Sequence, residues 1–295
     1  MALPPLLRAM RPHQWTKNVL VAAVPLAAGQ ILDLPVLAKT VAAFAVFCLA
    51  ASATYLINDT VDAEADRAHP TKRTRPIAAG ELSPRTAIVA AAVLIIVAVG
   101  LAFAVRPALA SVLAAYVAVT LSYSMWLKHE PVLELALIAL GFLLRAIAGG
   151  AATGIPISSW FLIVAGFGSL FMAAGKRSSE LNKTAQAVGA KQGSPSTRRV
   201  LEGYTSAYLR FVWGMAAAVT ITAYCLWAFE VAEQSSTLPW AGMSIVPFVL
   251  AIMRYAVDID RDTAEAPDEV VLSDKVLMLL GGLWVVIFGL AALGV

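Results

Sequence analysis

Charge is in short supply in this chain: Asp, Glu, Lys and Arg make up 14% of its 295 residues, against roughly a quarter in a soluble domain. That shortage excludes an ordinary soluble enzyme. Cysteine and histidine are scarcer still, at two and three residues. Cys48 and Cys225 stand in apolar stretches with no metal-type spacing, which reads as two inert core thiols rather than a disulfide or a zinc site. His13, His69 and His129 are isolated, so no imidazole cluster is expected. Ten-residue strands of alternating polarity are missing too, which excludes a membrane barrel. No polar or low-complexity tract separates domains, so a single domain over 1–295 is expected. No nucleic-acid partner is expected.

What is present is apolar length. The sequence is 60% hydrophobic with a mean hydropathy of +0.77. Nine apolar runs, roughly 18–32, 37–57, 86–105, 107–126, 132–152, 158–175, 207–229, 239–257 and 275–294, predict an all-α bundle of nine transmembrane helices. The opening run reads as an uncleaved first helix rather than a signal peptide, because many spans follow it.

The cations give the orientation. Arg8, Arg11 and Lys17 precede span one. Arg67, Lys72, Arg73, Arg75 and Arg85 follow span two. Lys176, Arg177, Lys183, Lys191, Arg198 and Arg199 follow span six, and Arg254, Arg261 and Lys275 follow span eight. The opposite connections hold little cation beyond Arg106. The positive-inside rule then predicts a cytoplasmic N-terminus and an outer C-terminus.

Chemistry is therefore expected at the cytoplasmic face. Asn58, Asp59, Asp62 and Asp66 form N-D-x-x-D-x-x-x-D at the exit of span two. If the helix runs on to about His69, Asp59, Asp62 and Asp66 share one face at i, i+3 and i+7, while Glu64 points elsewhere and Pro70 ends the helix. Three carboxylates so placed repel one another, and a divalent cation would neutralise them. Magnesium suits: it is hard and is usually held by a few carboxylates together with substrate phosphates. The competing reading is a solvated acidic helix end beside a basic loop.

Three basic patches belong to the same side: "RPHQWTKN" from Arg11 to Asn18, "KRTRP" from Lys72 to Pro76, and "GKRSSEL" from Gly175 to Leu181. Taken singly, each could serve anionic lipid. Together with the acids they fit a polyanionic substrate. Lys17, Lys72, Arg73, Arg75, Lys176 and Arg177 are candidate phosphate ligands, with Gln14, Asn18 and Glu180 as hydrogen-bonding partners. Lys176 and Glu180 are i, i+4 neighbours. Arg145, well inside span five, is either a functional intramembrane arginine or a structurally paired one. Arg198 and Tyr204 are further candidates for substrate contact. The acids of "DIDRD", Asp258 to Asp262, read as mostly solvated.

The acidic motif leaving the second of nine spans resembles the UbiA superfamily of intramembrane prenyltransferases, over essentially the whole chain. There, two aspartate-rich motifs after helices two and six hold magnesium and a prenyl diphosphate. The second motif departs here, since span six ends in Lys176, Arg177, Ser178, Ser179, Glu180 rather than D-x-x-x-D. With "YLINDTVDAEADRAHPTKRTRPIAAGELS", "LRAIAGG" and "PDEVVLSDK", the patches resemble the phosphoribosyl-transferring branch. That resemblance implies 5-phosphoribosyl 1-pyrophosphate as donor, decaprenyl phosphate as acceptor, and a product used for cell-wall arabinan. It also implies Mg2+ on Asn58, Asp59, Asp62 and Asp66, with the three aspartates as catalytic residues. A homo-oligomer is left open. The alternatives are a prenyltransferase acting on an aromatic or quinone precursor, and a transporter with a charged vestibule.

Overall fold

The computed structural model describes residues 3–190, 201, 203–232, 238–265, 270, 271 and 273–293. Among these, every regular element is helical. Eight helices are long and apolar enough to cross a membrane. They are α3 (Leu34–Val61), α5 (Pro84–Val105), α6 (Pro107–Met125), α7 (Leu133–Thr153), α8 (Ser159–Ala190), α9 (Ser206–Ala232), α10 (Trp240–Asp260) and α11 (Lys275–Leu293). Short α1 (Pro5–Ala9), α2 (Ala23–Ala27) and α4 (Ala63–Ala68) complete the set.

The first expected span is built differently from the rest. In place of one α-helix, a 3-10 stretch over Pro12–Ala22 runs into α2. Such stretches rarely exceed a turn, so packing holds this one. Asn18 and Val21 are buried in it. Val21 lies so close to Gly149 of α7 that a Cβ there would come within 2.0 Å of the Val21 carbonyl oxygen. Gly149, in "LRAIAGG", is thus required by a close backbone approach.

The chain divides into two compact units. The first comprises residues 1–25, 31–128 and 144–156, where α3 packs against α5, α6 and the 3-10 stretch. α5 shows why these helices fit. Its buried positions are Ala87, Ala91, Ala98 and Ala102, a small-residue stripe that lets backbones approach. Val89, Val93, Ile96 and Phe103 on the same helix are exposed, as lipid-facing residues should be. The helix begins with Pro84 behind Ser83, whose hydroxyl accepts the Thr86 N–H at 3.1 Å. Ala9, Leu56, Ala63, Ile77 and Leu82 form a core cluster beneath the α3–α4 junction. That cluster pins the loop after α4.

The second unit comprises residues 26–30, 129–143 and 157–295. Here α8 packs on α9 and α10, and α10 on α9 and α11. Phe171, Ala216, Tyr255, Ile259 and Leu277 form an apolar cluster within it. The cysteines are both free.

Candidate active site

The acidic motif straddles the α3–α4 junction in the first unit. Asp59 lies in the last turn of α3, and Asp62 is the single non-helical residue between the two helices, at φ −87°, ψ 2°. The turns stay connected: the Asp62 N–H donates to the Asn58 carbonyl at 2.9 Å, and the Asp66 N–H to the Asp62 carbonyl at 2.8 Å. The helix ends at Ala68, and His69 is extended ahead of Pro70, as a residue before proline should be.

This break divides the three aspartates. Asp59 and Asp66 are buried, at 2% and 3% exposure, whereas Asp62 is half-buried and Glu64 exposed. The expected single face of three carboxylates becomes a buried pair plus one. Asn58 is half-buried beside them.

Two buried carboxylates need compensation, because desolvating an unpaired charge costs several kcal/mol. Arg75 and Arg11 supply it. Nη1 of Arg75 donates to Asp66 Oδ2 at 2.6 Å and to Asp59 Oδ1 at 3.2 Å. Nη2 of Arg11 reaches both oxygens of Asp59, at 2.6 and 2.9 Å. Arg11 is itself held at φ 53°, with its guanidinium over the Tyr55 ring, 5.0 Å from the centroid. Asp62 instead takes the ammonium of Lys128, from the 3-10 turn after α6. Sequence reasoning did not single out Lys128. Its signal was available, since it lies between spans four and five, on the side where the other cations gather.

Among the described residues, no three carboxylate, imidazole or thiolate groups converge as a ready cage for a metal ion. Asp59 and Asp66 nonetheless fit a hard cation. They already share one positively charged nitrogen, and magnesium asks for only one or two carboxylates when phosphates complete its shell.

The other expected ligands in this unit divide as well. Arg73 is exposed and Lys72 half-buried. Lys17 donates to Gln14, three residues before it. Asn18 is fully buried. Its Oδ1 accepts from Arg145 Nε at 2.8 Å, and its Nδ2 donates to Cys48 Sγ at 3.3 Å. Asn18 therefore orients Arg145. Arg145 also donates to the Tyr116 hydroxyl at 2.8 Å and lies over that ring at 4.7 Å. These contacts pair it inside the protein.

The second unit carries the span-six patch on α8. Lys176 and Glu180 share a face, with 3.9 Å between their charged atoms. Arg177 differs from expectation. It is 2% exposed and bound to Glu134 of α7 and to Glu180, so its charge is neutralised inside the protein. Glu134 was missed because it stands inside an apolar run. A lone acid there signals a buried partner.

Tyr204 is buried against the chain itself. Its hydroxyl accepts the Val132 N–H at 2.8 Å, bracing a β-branched residue at φ 70°, and burial pushes its pKa up to about 12. Arg198 lies outside the described residues. In "DIDRD", Asp258 is buried rather than solvated. Asp260 is exposed near Arg210, and Asp262 accepts from Asn182 at 2.8 Å.

An apolar groove of about 650 Å³ lies within this unit, lined by Leu135, Ala139, Leu143, Gly166, Phe167 and Met215 among others. It is walled by α7, α8 and α9, and Gly166 contributes no side chain to fill it.

Residues 19–273 match the UbiA prenyltransferase family. A decaprenyl-phosphate phosphoribosyltransferase of Corynebacterium glutamicum is 50% identical over 285 residues, covering 95% of this chain and 84% of that one. The enzyme so named from Mycobacterium tuberculosis is 49% identical over 288 residues, covering 96% and 93%. A solved UbiA homolog from Archaeoglobus fulgidus, bound to DMAPP and Mg2+, superposes with a TM-score of 0.72. The alignment covers 98% of this chain and 99% of that chain, at 16% identity, so the likeness is one of fold.

Proposed function

The chain belongs to the UbiA prenyltransferase family and is an integral membrane enzyme, and on that premise we propose that it transfers the 5-phosphoribosyl group of 5-phosphoribosyl 1-pyrophosphate to decaprenyl phosphate. The products are decaprenylphosphoryl-5-phosphoribose and pyrophosphate, the former destined for cell-wall arabinan. The observation that carries this reading is the near-50% identity, over almost the whole chain, to proteins named for that reaction. The charged cluster at the α3–α4 junction supports it from the side of chemistry.

Asp59 and Asp66 would hold a magnesium ion, with Asp62 and Asn58 in the adjoining turn. Bound there, the metal supplies positive charge to the departing pyrophosphate. The chain's own cations do the rest. Arg75, Lys72 and Arg73 contribute positive charge and hydrogen-bond donors to donor phosphates. Lys128 pairs with Asp62 and orients it. Gln14 and Lys17 stand as a polar pair beside Arg11.

In the transfer, the bond from the anomeric carbon to the pyrophosphate oxygen breaks, and an oxygen of the lipid phosphate bonds to that carbon from the opposite face. The configuration inverts, and the ring passes through oxocarbenium character as in other glycosyl chemistry. No general base is required, because the lipid phosphate is already ionised near neutral pH. The prenyl tail is assigned to the apolar groove between α7, α8 and α9, which the bilayer lipid phase can supply. The N-terminus is assigned to the cytoplasm and the protein to the plasma membrane, where the soluble donor meets the lipid acceptor.

Paired assays test the reading against prenyl transfer. Purified protein is given radiolabelled 5-phosphoribosyl 1-pyrophosphate with decaprenyl phosphate, or a radiolabelled prenyl diphosphate with an aromatic acceptor. Label moving to lipid in the first and none transferred in the second supports it; the reverse refutes it.

A further inference from the structure

The cations of the acidic cluster are not equivalent. Arg11 is fixed: it begins the 3-10 stretch in a left-handed conformation, lies over Tyr55, and grips both oxygens of Asp59. Arg75 is held by less. Its backbone is anchored, since Ile77 and Leu82 just beyond it are buried in the core cluster. Its side chain, however, is a quarter exposed (25%) and engages the carboxylates through Nη1 alone. Its Nη2 and Nε have no partner among the described residues.

That one nitrogen sits where a bridging cation would have to sit. It touches Asp59 and Asp66 at once, and those two are the buried acids of the motif. The cluster is already balanced, with Asp59, Asp62 and Asp66 against Arg11, Arg75 and Lys128. A divalent ion entering it alone would add two charges beside three cations, against two carboxylates whose side chains are only 2% and 4% exposed. A divalent ion entering with a diphosphate would not, because the guanidinium it displaces has a new anion to meet.

We propose that Arg75 is an exchangeable counter-cation: it bridges Asp59 and Asp66 in the empty enzyme, yields that position to the divalent metal, and turns its guanidinium to the diphosphate that arrives with it. This rests on the donor and metal reading above. The planar fork suits the second task, since two parallel N–H groups match two phosphate oxygens. One consequence is that metal and diphosphate bind synergistically, each raising the affinity of the other by the same factor. Another is that Arg75 suppresses binding of metal alone, so the carboxylates are not held by free cations between turnovers.

The test measures Mn2+ binding, as the spectroscopic stand-in for magnesium, to the purified full chain by electron paramagnetic resonance, with and without inorganic pyrophosphate. Wild type is compared with Arg75→Gln and Arg75→Lys. In Arg75→Gln, Mn2+ alone should bind about tenfold tighter, and the gain from pyrophosphate should fall about tenfold, within the usual range of such couplings. Arg75→Lys should lie between the two. A merely structural role predicts weaker Mn2+ binding in both variants. Unchanged or weaker binding of Mn2+ alone, or undiminished coupling, overturns the proposal. If Arg75→Gln does not fold, the same two quantities in Arg75→Lys decide. Wild type that binds Mn2+ but transfers no phosphoribosyl group refutes the proposed reaction only; variants that fail to shift refute the role of Arg75 only.

Discussion

Arg177 and Glu134 form an ion pair with almost no access to water: the side chains are 2% and 0% exposed, and the arginine also binds Glu180. One Glu134 oxygen is left without a hydrogen-bond partner. Removing either member strands a buried charge. Arg177→Met or Glu134→Leu alone should cost about 3–5 kcal/mol, whereas the double variant should recover most of it. Thermal unfolding in detergent reads this directly. A double variant no more stable than the worse single one would show that the pair does not act as a unit.

Asp59→Asn and Asp66→Asn should each lower phosphoribosyl transfer by about a hundredfold or more, the scale on which charge-stabilising groups act. Asp62→Asn should cost less, because Asp62 faces Lys128 instead of the buried pair. Initial rates in detergent-solubilised membranes give the ranking. Equal losses at all three positions would mean that the carboxylates converge in the working enzyme.

The groove is tested at Gly166. A Cβ there meets only Leu143 Cδ2, at an ordinary 3.7 Å, so Gly166→Ala should be tolerated. Gly166→Leu should fill the groove and raise KM for decaprenyl phosphate about tenfold, in the range of steric discrimination by apolar pockets, with KM for the ribosyl donor unchanged. A change in the donor KM instead would remove the tail from this groove.

Asp274 gives a pH dependence. Its Oδ1 accepts the N–H groups of Val276 and Leu277, capping α11, and its Oδ2 accepts from Arg254 at 2.6 Å. The Leu277 N–H first, and the Arg254 guanidinium after it, hold its pKa below the ordinary 3.8. A depressed carboxylate stabilises above its unfolded pKa, and that stability is lost as pH falls through the folded value. Asp274→Asn should therefore unfold at a lower temperature than wild type at pH 7, with the gap closing only below about pH 3.8. A gap that persists in acid would assign the loss to packing.

Much of this was legible beforehand because hydrophobic length and loop charge act locally. Eight of the nine expected spans are long helices, seven of them within a few residues of their bounds; the sixth, expected over 158–175, runs on to Ala190. The acidic motif and Arg75 lie within one stretch of chain, so spacing alone brought them into view. What stayed hidden depends on distant partners. Arg11 and Lys128 meet Asp59 and Asp62 across 48 and 66 residues, and Glu134 meets Arg177 across 43. A basic residue in a basic patch looks free until the acid that claims it is found. For that reason Arg177 and Asn18 read as substrate ligands in the sequence, whereas the fold pairs Arg177 with Glu134 and Glu180 and Asn18 with Arg145. The first span escaped for a related cause, since the contact of Val21 with Gly149 overrides local helix preference.

The account's centre is that the acids at the end of α3 and the start of α4 bind a divalent ion and the leaving pyrophosphate together. Transfer of label from 5-phosphoribosyl 1-pyrophosphate to decaprenyl phosphate, followed in purified wild type with and without a chelator and in the folded Asp59→Asn/Asp66→Asn double variant, measures it most directly. The expected result is one pyrophosphate released per labelled lipid in wild type, with transfer abolished by the chelator and by the double variant. Undiminished transfer in either would contradict it.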